Sequence, residues 1–412
     1  MNLKDKLACA FLPGRGAGAF FVSIALWGIA FGCFQSVVNN FLTDIYNFSE
    51  LERGWLEFFR EMPGLLLVFM LAALHKAGNW KVMKLGALIA CLGVAALMIP
   101  ADKIWIILFI MIWSAGEHLM MPVRQALTME LAAPGKGGIA LGLVSGTINV
   151  GTVAGSLIVA GIFFAAVNIL GISSKLLVYD LVWLIIALLA AASFFAMFIP
   201  GNVDSPARRP RLYFNWKYKI FYALELFYGA RKQIFLTFAP FVLIKVYGFD
   251  TALMATLFAV AAGINIFAAP LVGKLTDKIG YRNVMIYDTV ILFFVCLLYG
   301  YAGSWFPGKI AVWVAGANFL LDAIISTTSL ATNLYVRDIS DNRDELTSTL
   351  STGISINHLI SIIAAPVGGW IWLRFGVGTL FTVAAVMSVF NSLCALLVRT
   401  PDKSKDRSSR IS

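Results

Sequence analysis

Long apolar runs, separated only by short polar breaks, constrain the fold of this chain more than any other feature. A helix needs about 20 apolar residues to cross the hydrocarbon core of a bilayer, and runs of that length follow one another along most of the sequence. The chain is 60% hydrophobic and 13% charged, which excludes an ordinary soluble domain and a disordered chain. The sequence predicts an all-α membrane protein with twelve transmembrane helices, at residues 17–43, 53–74, 80–99, 104–128, 138–165, 177–199, 219–245, 251–272, 282–302, 309–335, 347–372 and 378–398.

The basic residues predict how the chain is oriented and divided. Most of the 32 lysines and arginines fall on the side of the predicted helices that carries both termini, so the positive-inside rule places both termini in the cytoplasm. The same distribution explains the net charge of +10 without a nucleic-acid partner. The expected segments are a cytoplasmic N-terminus (1–16), an N-terminal six-helix bundle (17–199), a basic cytoplasmic linker (200–218), a C-terminal six-helix bundle (219–399) and a disordered cytoplasmic tail (400–412).

Weak similarity between the two halves favours a pair of pseudo-symmetric repeats. Gly78 corresponds to Gly280, Glu117 to Asp322 and Asn149 to Asn357, at nearly constant spacing. Parallel repeats of this kind occur in secondary transporters, whose substrate site lies between the repeats near the membrane midplane.

The segment between predicted helices eight and nine carries the most specific motif. The run GKLTDKIGYR contains Gly273, Asp277, Gly280 and Arg282. Its pattern, Gly-x-Leu-x-Asp-x-x-Gly-x-Arg, resembles the cytoplasmic loop signature of the major facilitator superfamily. The resemblance implies two six-helix bundles over nearly the full chain, with a cytoplasmic gate at these four residues.

The first half departs from that family pattern. Leu71, His75 and Trp80 stand where the family has glycine, aspartate and arginine, so a symmetric pair of cytoplasmic gates is not expected. Pro122-Val-Arg124 resembles another family motif, in which the arginine lies close to the transport path. Arg124 is equally well interpreted as a helix-end anchor that reaches the membrane interface.

Transport of a small solute by alternating access is the function that the resemblance implies. The sequence contains no Walker A pattern, nucleophile motif or cluster of metal ligands, so we expect neither an enzyme nor a bound cofactor or metal. The expected protein is a monomer that crosses the cell membrane several times, with the lipid bilayer as its surroundings.

Two adjacent cations, Arg231 and Lys232, lie in the middle of the seventh apolar run. An isolated cation at the centre of a lipid-embedded helix costs roughly 2.5 kcal/mol or more, so such residues face a protein interior or a wet cavity. Two interpretations stay open. The cations bind an anionic substrate, or they pair with acidic residues such as Glu225, Glu117 and Asp322.

The site hypothesis is an organic anion held by basic and polar residues and coupled to protons. The predicted substrate ligands are Arg231, Lys232, Arg60, Arg124, Gln35, Asn39, Asn318 and Asn357. The predicted proton-coupling residues are Glu117, His118, Asp322, Glu225 and His358, because carboxylates and histidines inside a membrane are typical of proton relays.

Local spacing suggests a structural role for some of these polar residues. Glu57, Arg60 and Glu61 are spaced at i, i+3 and i+4, which favours a self-compensated cluster on one helix. Small residues recurring along the fifth apolar run predict close packing of that helix. They are Gly142, Gly146, Gly151 and Gly155.

Two other functions remain compatible with the sequence. The first is an exporter of amphipathic or drug-like compounds, in which the charges form internal salt bridges. The second is a membrane receptor or sensor that uses the same fold without transporting its ligand.

Overall fold

The computed structural model describes residues 10–12, 16–198, 214–341 and 343–398. Most of these residues are helical, which confirms the predicted all-α membrane fold. The helices are α1 (Ala17–Asp44), α2 (Glu50–Ala73), α3 (Asn79–Ala96), α4 (Lys103–Leu131), α5 (Gly137–Asn168), α6 (Lys175–Ala196), α7 (Lys219–Lys245), α8 (Thr251–Ile279), α9 (Tyr281–Trp305), α10 (Gly308–Ser326), α11 (Leu330–Ile339) and α12 (Arg343–Leu396). Nine stretches within the described ranges are long and apolar enough to cross a membrane.

Local sequence signals explain several of the helix boundaries. The Ser49 side chain accepts from the Glu52 backbone while Glu52 accepts from the Ser49 backbone at 2.8 Å, and this capping box begins α2. Gly280 has φ 83° between α8 and α9, and Gly376 has φ 84° inside α12. Only glycine adopts such a conformation readily. The interruption of α12 at Gly376 matches the break predicted between the last two transmembrane helices.

Two predicted helices have different bounds in the structure. The eighth, predicted to end at residue 272, continues to Ile279, so Gly273 and Asp277 lie on a helix end and not in a loop. The tenth is interrupted, because α10 stops at Ser326 and a 3₁₀ turn (Thr327–Ser329) precedes α11. In this turn, hydroxyl groups bond to carbonyl groups three residues earlier. Such bonds compete with the regular helical pattern.

Backbone packing divides the chain into two compact units. The first falls within Met1–Arg209, Leu236–Ile266 and Ala365–Leu373. The second falls within Pro210–Phe235, Phe267–Ala364 and Arg374–Ser412. The division into bundles 17–199 and 219–399, like the cytoplasmic position of the termini, stays a prediction. The tail (400–412) and most of the N-terminus (1–16) and the linker (200–218) lie outside the described residues.

In the first unit, α1 and α5 are held together by close backbone contact. A Cβ added at Gly155 would lie 2.1 Å from the Ile29 carbonyl oxygen, and one at Gly32 would lie 2.3 Å from that of Thr152. A Cβ at Gly142 or Gly146 would meet no atom within 4 Å. The predicted small-residue stripe is therefore correct for its second half and wrong for its first half.

In the second unit, aromatic residues form much of the core between α7, α9 and α11. Tyr218, Phe221, Tyr281 and Tyr335 are buried there together with aliphatic side chains. This core fixes the ends of three helices that also carry polar residues deeper in the unit.

Candidate functional site

Arg231 forms an ion pair between two helices of the second unit. Its side chain is 2% exposed, and one guanidinium NH₂ nitrogen lies 2.5 Å from Asp322 Oδ1 on α10. The rings of Tyr228 and Phe235 lie 5.2 and 5.9 Å from its guanidinium carbon. These residues are three before and four after Arg231, so they share its face of α7. The predicted pairing of Arg231 with an acid is thus present, and the acid is Asp322.

Arg231 keeps hydrogen-bonding capacity that Asp322 does not use. Its Nε atom is buried and has no hydrogen-bond partner among the described residues. A buried donor without a partner costs about 1–3 kcal/mol. The Nε atom of Arg231 is therefore available to donate a hydrogen bond to an oxygen atom of a ligand.

Lys232, the neighbouring cation, reaches a different helix. Its Nζ donates to Asn357 Oδ1 at 2.9 Å, and Asn357 Nδ2 donates to Glu225 Oε2 at 3.3 Å. Gly229 allows this contact, because a Cβ there would meet the Asn357 side chain at 3.1 Å. The structure therefore brings together Lys232, Asn357 and Glu225. The sequence analysis offered Glu225 as a partner of the cations, and Asn357 contacts both residues.

Two further polar residues of the second unit, Asn318 and Asp288, have a buried oxygen without a hydrogen-bond partner among the described residues. Asn318, also on α10, is 3% exposed, and its Oδ1 has no partner among the described residues. Asp288 on α9, which the sequence analysis missed, has its Oδ2 within hydrogen-bond distance of the Thr328 hydroxyl. The available signal was an aspartate inside an apolar run, seven residues after Tyr281.

The charged residues of the first unit form a cluster within α2. Glu57 accepts from Arg53 at 2.6 Å and from Arg60 at 2.7 Å, and Arg60 also pairs with Glu61. The Nε atom of Arg53 donates to Asn39 Oδ1 at 3.2 Å. Arg60 and Asn39, predicted as substrate ligands, are thus both engaged in this α2 cluster.

On α4, three predicted residues differ in their contacts. His118 Nδ1 lies 3.0 Å from Ser114 Oγ and 2.9 Å from the Ser114 carbonyl oxygen. Glu117 makes no hydrogen bond or ion pair among the described residues, although the charges of Arg60 and Arg124 act on it. Among the cations nominated for anion binding, Arg124 is the one without a hydrogen bond from its guanidinium group in the described part of the chain.

The remaining predicted residues lie in simple surroundings. An Arg282 NH₂ nitrogen donates to the Leu396 carbonyl oxygen at 2.8 Å, near the end of α12. Asp277 is exposed on α8, and Gln35 and His358 are partly buried on α1 and α12. The cytoplasmic gate at Gly273, Asp277, Gly280 and Arg282 and the coupling role of His358 therefore stay predictions.

A charged group next to α7 lies outside the apolar stretches. Lys217 Nζ lies 2.8 Å from Asp341 Oδ2 and 3.7 Å from Glu345 Oε1. The hydrogen bond to Asp341 raises the pKa of Lys217. The backbone N–H of Asp341 donates to Glu345 at 3.0 Å and lowers the pKa of the Glu345 carboxyl.

The all-helical fold and the long apolar helices define a polytopic membrane protein. The family described as Major Facilitator Superfamily matches residues 18–357, and the chain belongs to that family. This membership confirms the resemblance seen in the sequence motif. It also indicates a transporter and not an enzyme.

Solved transporters share the fold at low sequence identity. The chain is similar to the nucleoside transporter NupG (D323A mutant), with a TM-score of 0.73, 11% identity, and 93% of this chain and 99% of that chain covered. It is also similar to a D-xylose-proton symporter, with a TM-score of 0.70, 14% identity, and coverage of 94% and 98%. Identities this low show the fold alone.

Curated relatives match a smaller region. The chain is 27% identical over 164 residues to the vesicular acetylcholine transporter of Drosophila melanogaster, covering 40% of this chain and 27% of that protein. It is 24% identical over 160 residues to that of Tetronarce californica, covering 38% and 30%. The chain thus matches less than a third of the length of these relatives.

Proposed function

We propose that this chain is a proton-coupled transporter of a small organic anion, working by alternating access in the cell membrane as a monomer. The Arg231–Asp322 pair is the observation that carries the proposal. A proton on Asp322 would remove the counter-charge of Arg231, and an anionic group could then take its place. Proton and anion would favour the same opened pair, so each would increase the affinity for the other.

Several other contacts support this assignment. Arg231 has an unused buried donor, and charge-assisted hydrogen bonds to carboxylates are the strong ones in proteins. Lys232 and Glu225, linked through Asn357, offer a second acid and base in the same unit. The Arg124 guanidinium group, without a hydrogen bond in the described part, is a further candidate anion ligand.

A flux assay in sealed proteoliposomes tests the proposal. Purified protein would be screened for thermal stabilisation by mono- and dicarboxylates, since a ligand of the native state raises Tm. Entry of the best ligand, supplied in radiolabelled form, would then be measured, and a pH dye inside the vesicles would report proton entry. We expect an inward proton gradient to drive accumulation in the wild type. Asp322→Asn should still exchange the anion but should not accumulate it.

Control variants separate coupling from general damage. Asp102→Asn changes an exposed carboxylate and should accumulate the anion like the wild type. Changing Arg231 and Lys232 together to glutamine should abolish transport. The proposal fails if Asp322→Asn still accumulates the anion in response to the proton gradient. Binding without flux would indicate a receptor, and selective binding of lipophilic drugs would indicate an exporter.

An organic cation is the second candidate substrate. In the second unit, three carboxylates (Glu225, Asp288 and Asp322) accompany two cations, Arg231 and Lys232, on the helices described above. The matched relatives are named for acetylcholine. The same stability screen should therefore include acetylcholine and choline. Stabilisation by these compounds but by no carboxylate would favour the cation.

A further inference from the structure

A second acid lies at the interruption between α10 and α11. Asp288 projects from α9, and its Oδ2 contacts the hydroxyl of Thr328 in the 3₁₀ turn. Its other oxygen, Oδ1, is buried and has no hydrogen-bond partner among the described residues. Asp288 takes no part in the Arg231–Asp322 pair, so its role needs a separate explanation.

The hydrogen atoms available at Thr328 limit the possible states of Asp288. The Thr328 oxygen contacts both Asp288 Oδ2 and the Ile325 carbonyl oxygen, the latter at 2.6 Å. A hydroxyl group carries one hydrogen, and a carbonyl oxygen carries none. Both contacts can be full hydrogen bonds only when Asp288 is protonated and donates to Thr328, which then donates to Ile325.

Among the residues that the structure describes, no cation forms an ion pair with Asp288. Arg231 on α7 is the cation whose charge acts on Asp288, and it is bound to Asp322 of α10. On α11, Arg337 and Asp338 pair with each other at 3.0 Å. Asp288 is partly buried, and a carboxylate with one buried oxygen and no paired cation is costly. These surroundings favour the neutral acid.

We propose that Asp288 is a proton-binding site, separate from the Arg231–Asp322 pair, whose occupancy is coupled to the 3₁₀ turn at Thr327–Ser329. With the proton bound, Thr328 donates to Ile325 and stabilises the turn. When Asp288 loses its proton to water, the Thr328 hydroxyl donates its hydrogen bond to the Asp288 carboxylate. The Ile325 carbonyl oxygen then loses its hydrogen bond from Thr328. Short 3₁₀ stretches within a helix often mark hinges, so proton release favours a change in the angle between α10 and α11.

Infrared difference spectroscopy tests this proposal on the full-length purified protein without any substrate. A protonated carboxyl group has a C=O stretching band that a carboxylate lacks. We expect wild-type minus Asp288→Asn spectra to contain such a band at mildly acidic pH, and we expect the band to disappear as the pH is raised. Asp102→Asn, which alters an exposed carboxylate, should leave the band unchanged.

Thr328 variants supply a test that does not depend on the folding of Asp288→Asn. Thr328→Val removes the hydroxyl partner and should shift the band, whereas Thr328→Ser retains the hydroxyl and should keep its position. The proposal is overturned if Thr328→Val leaves the band unshifted, or if wild type and Asp288→Asn give the same protonated-carboxyl bands. A Na⁺-dependent spectral change that Asp288→Asn abolishes would instead identify a cation site.

The infrared test is independent of the proposed transport function. Asp322→Asn should leave the Asp288 band in place, even where it abolishes proton-driven accumulation. Conversely, loss of the Asp288 proposal would leave the Arg231–Asp322 argument intact.

Discussion

Two charged clusters with similar residue types differ in how their pairs are spaced along the chain. The α2 cluster joins Arg53, Glu57, Arg60 and Glu61 within one helix. In the second unit, by contrast, Arg231 pairs with another helix. A pair within one helix survives rigid movement of that helix, whereas a pair between helices changes when they shift. We therefore expect the α2 cluster to have a structural role and the Arg231–Asp322 pair to take part in coupling.

Removing Asp322 should give the largest effect on stability. Asp322→Ala leaves the buried Arg231 without its counter-charge, and breaking a buried pair in this way costs about 3–5 kcal/mol. The free energy of unfolding of the purified protein, measured by denaturant titration, should fall accordingly. The double variant Arg231→Met/Asp322→Leu replaces both charges with apolar groups and should recover most of the loss. A double variant as unstable as Asp322→Ala would show that the pair does not account for the effect.

A smaller stability loss without a transport defect is expected in the α2 cluster. Glu57→Gln keeps one acceptor oxygen but removes the charge that binds Arg53 and Arg60, so about 1.5–3 kcal/mol should be lost. Anion flux per folded molecule should stay at the wild-type level. Glu61→Gln, which weakens the contact to Arg60 and leaves the two arginine contacts of Glu57 in place, is the matched milder change. A change in proton coupling at unchanged stability would instead assign the α2 cluster to the transport mechanism.

The sequence predicted contacts best where the partners are close along the chain. Glu57, Arg60 and Glu61 could be assigned to one cluster because their spacing places them on one helical face. The partner of Arg231 could not be selected between Glu117, Glu225 and Asp322, since it depends on how α7 and α10 pack. The all-helical fold and most helix bounds followed from the length of the apolar runs, which is set by the thickness of the bilayer.

Features that depend on a neighbouring helix were missed or only partly predicted. The turn at Thr327–Ser329 consists of residues that a helix tolerates, and its hydroxyl contacts include Asp288 from α9. The glycines of α5 follow the same rule. Gly151 and Gly155 contact α1 closely, whereas Gly142 and Gly146 do not. Both pairs of glycines have the same spacing of four residues, so the sequence alone does not distinguish them.

The smallest effect on stability is expected for the group formed by Lys217, Asp341 and Glu345. Like Arg231 and Asp322, Lys217 and its acidic partners are far apart along the chain, but the Lys217–Asp341 pair is much more exposed. Glu345, which is less exposed than Asp341, lies 3.7 Å from Lys217. Exposed pairs contribute little to stability, and a longer separation weakens the attraction further. Lys217 has a raised pKa in the folded state, so its contribution is present below its unfolded value and is lost as pH rises through the folded one. Glu345 has a lowered pKa, so its contribution is present above its unfolded value and is lost as pH falls through the folded one.

Both contributions to the free energy of unfolding are therefore fully present between the unfolded pKa values, about pH 4.3 for glutamate and pH 10.4 for lysine. At neutral pH, Glu345→Gln should lower Tm slightly, and less than Glu57→Gln does. The difference from wild type should vanish in acid and shrink at high salt, which screens exposed charges. An effect of Glu345→Gln as large as that of Asp322→Ala, or one insensitive to salt, would mean that separation along the chain outweighs burial. Burial could then no longer explain why the Arg231 pair matters more.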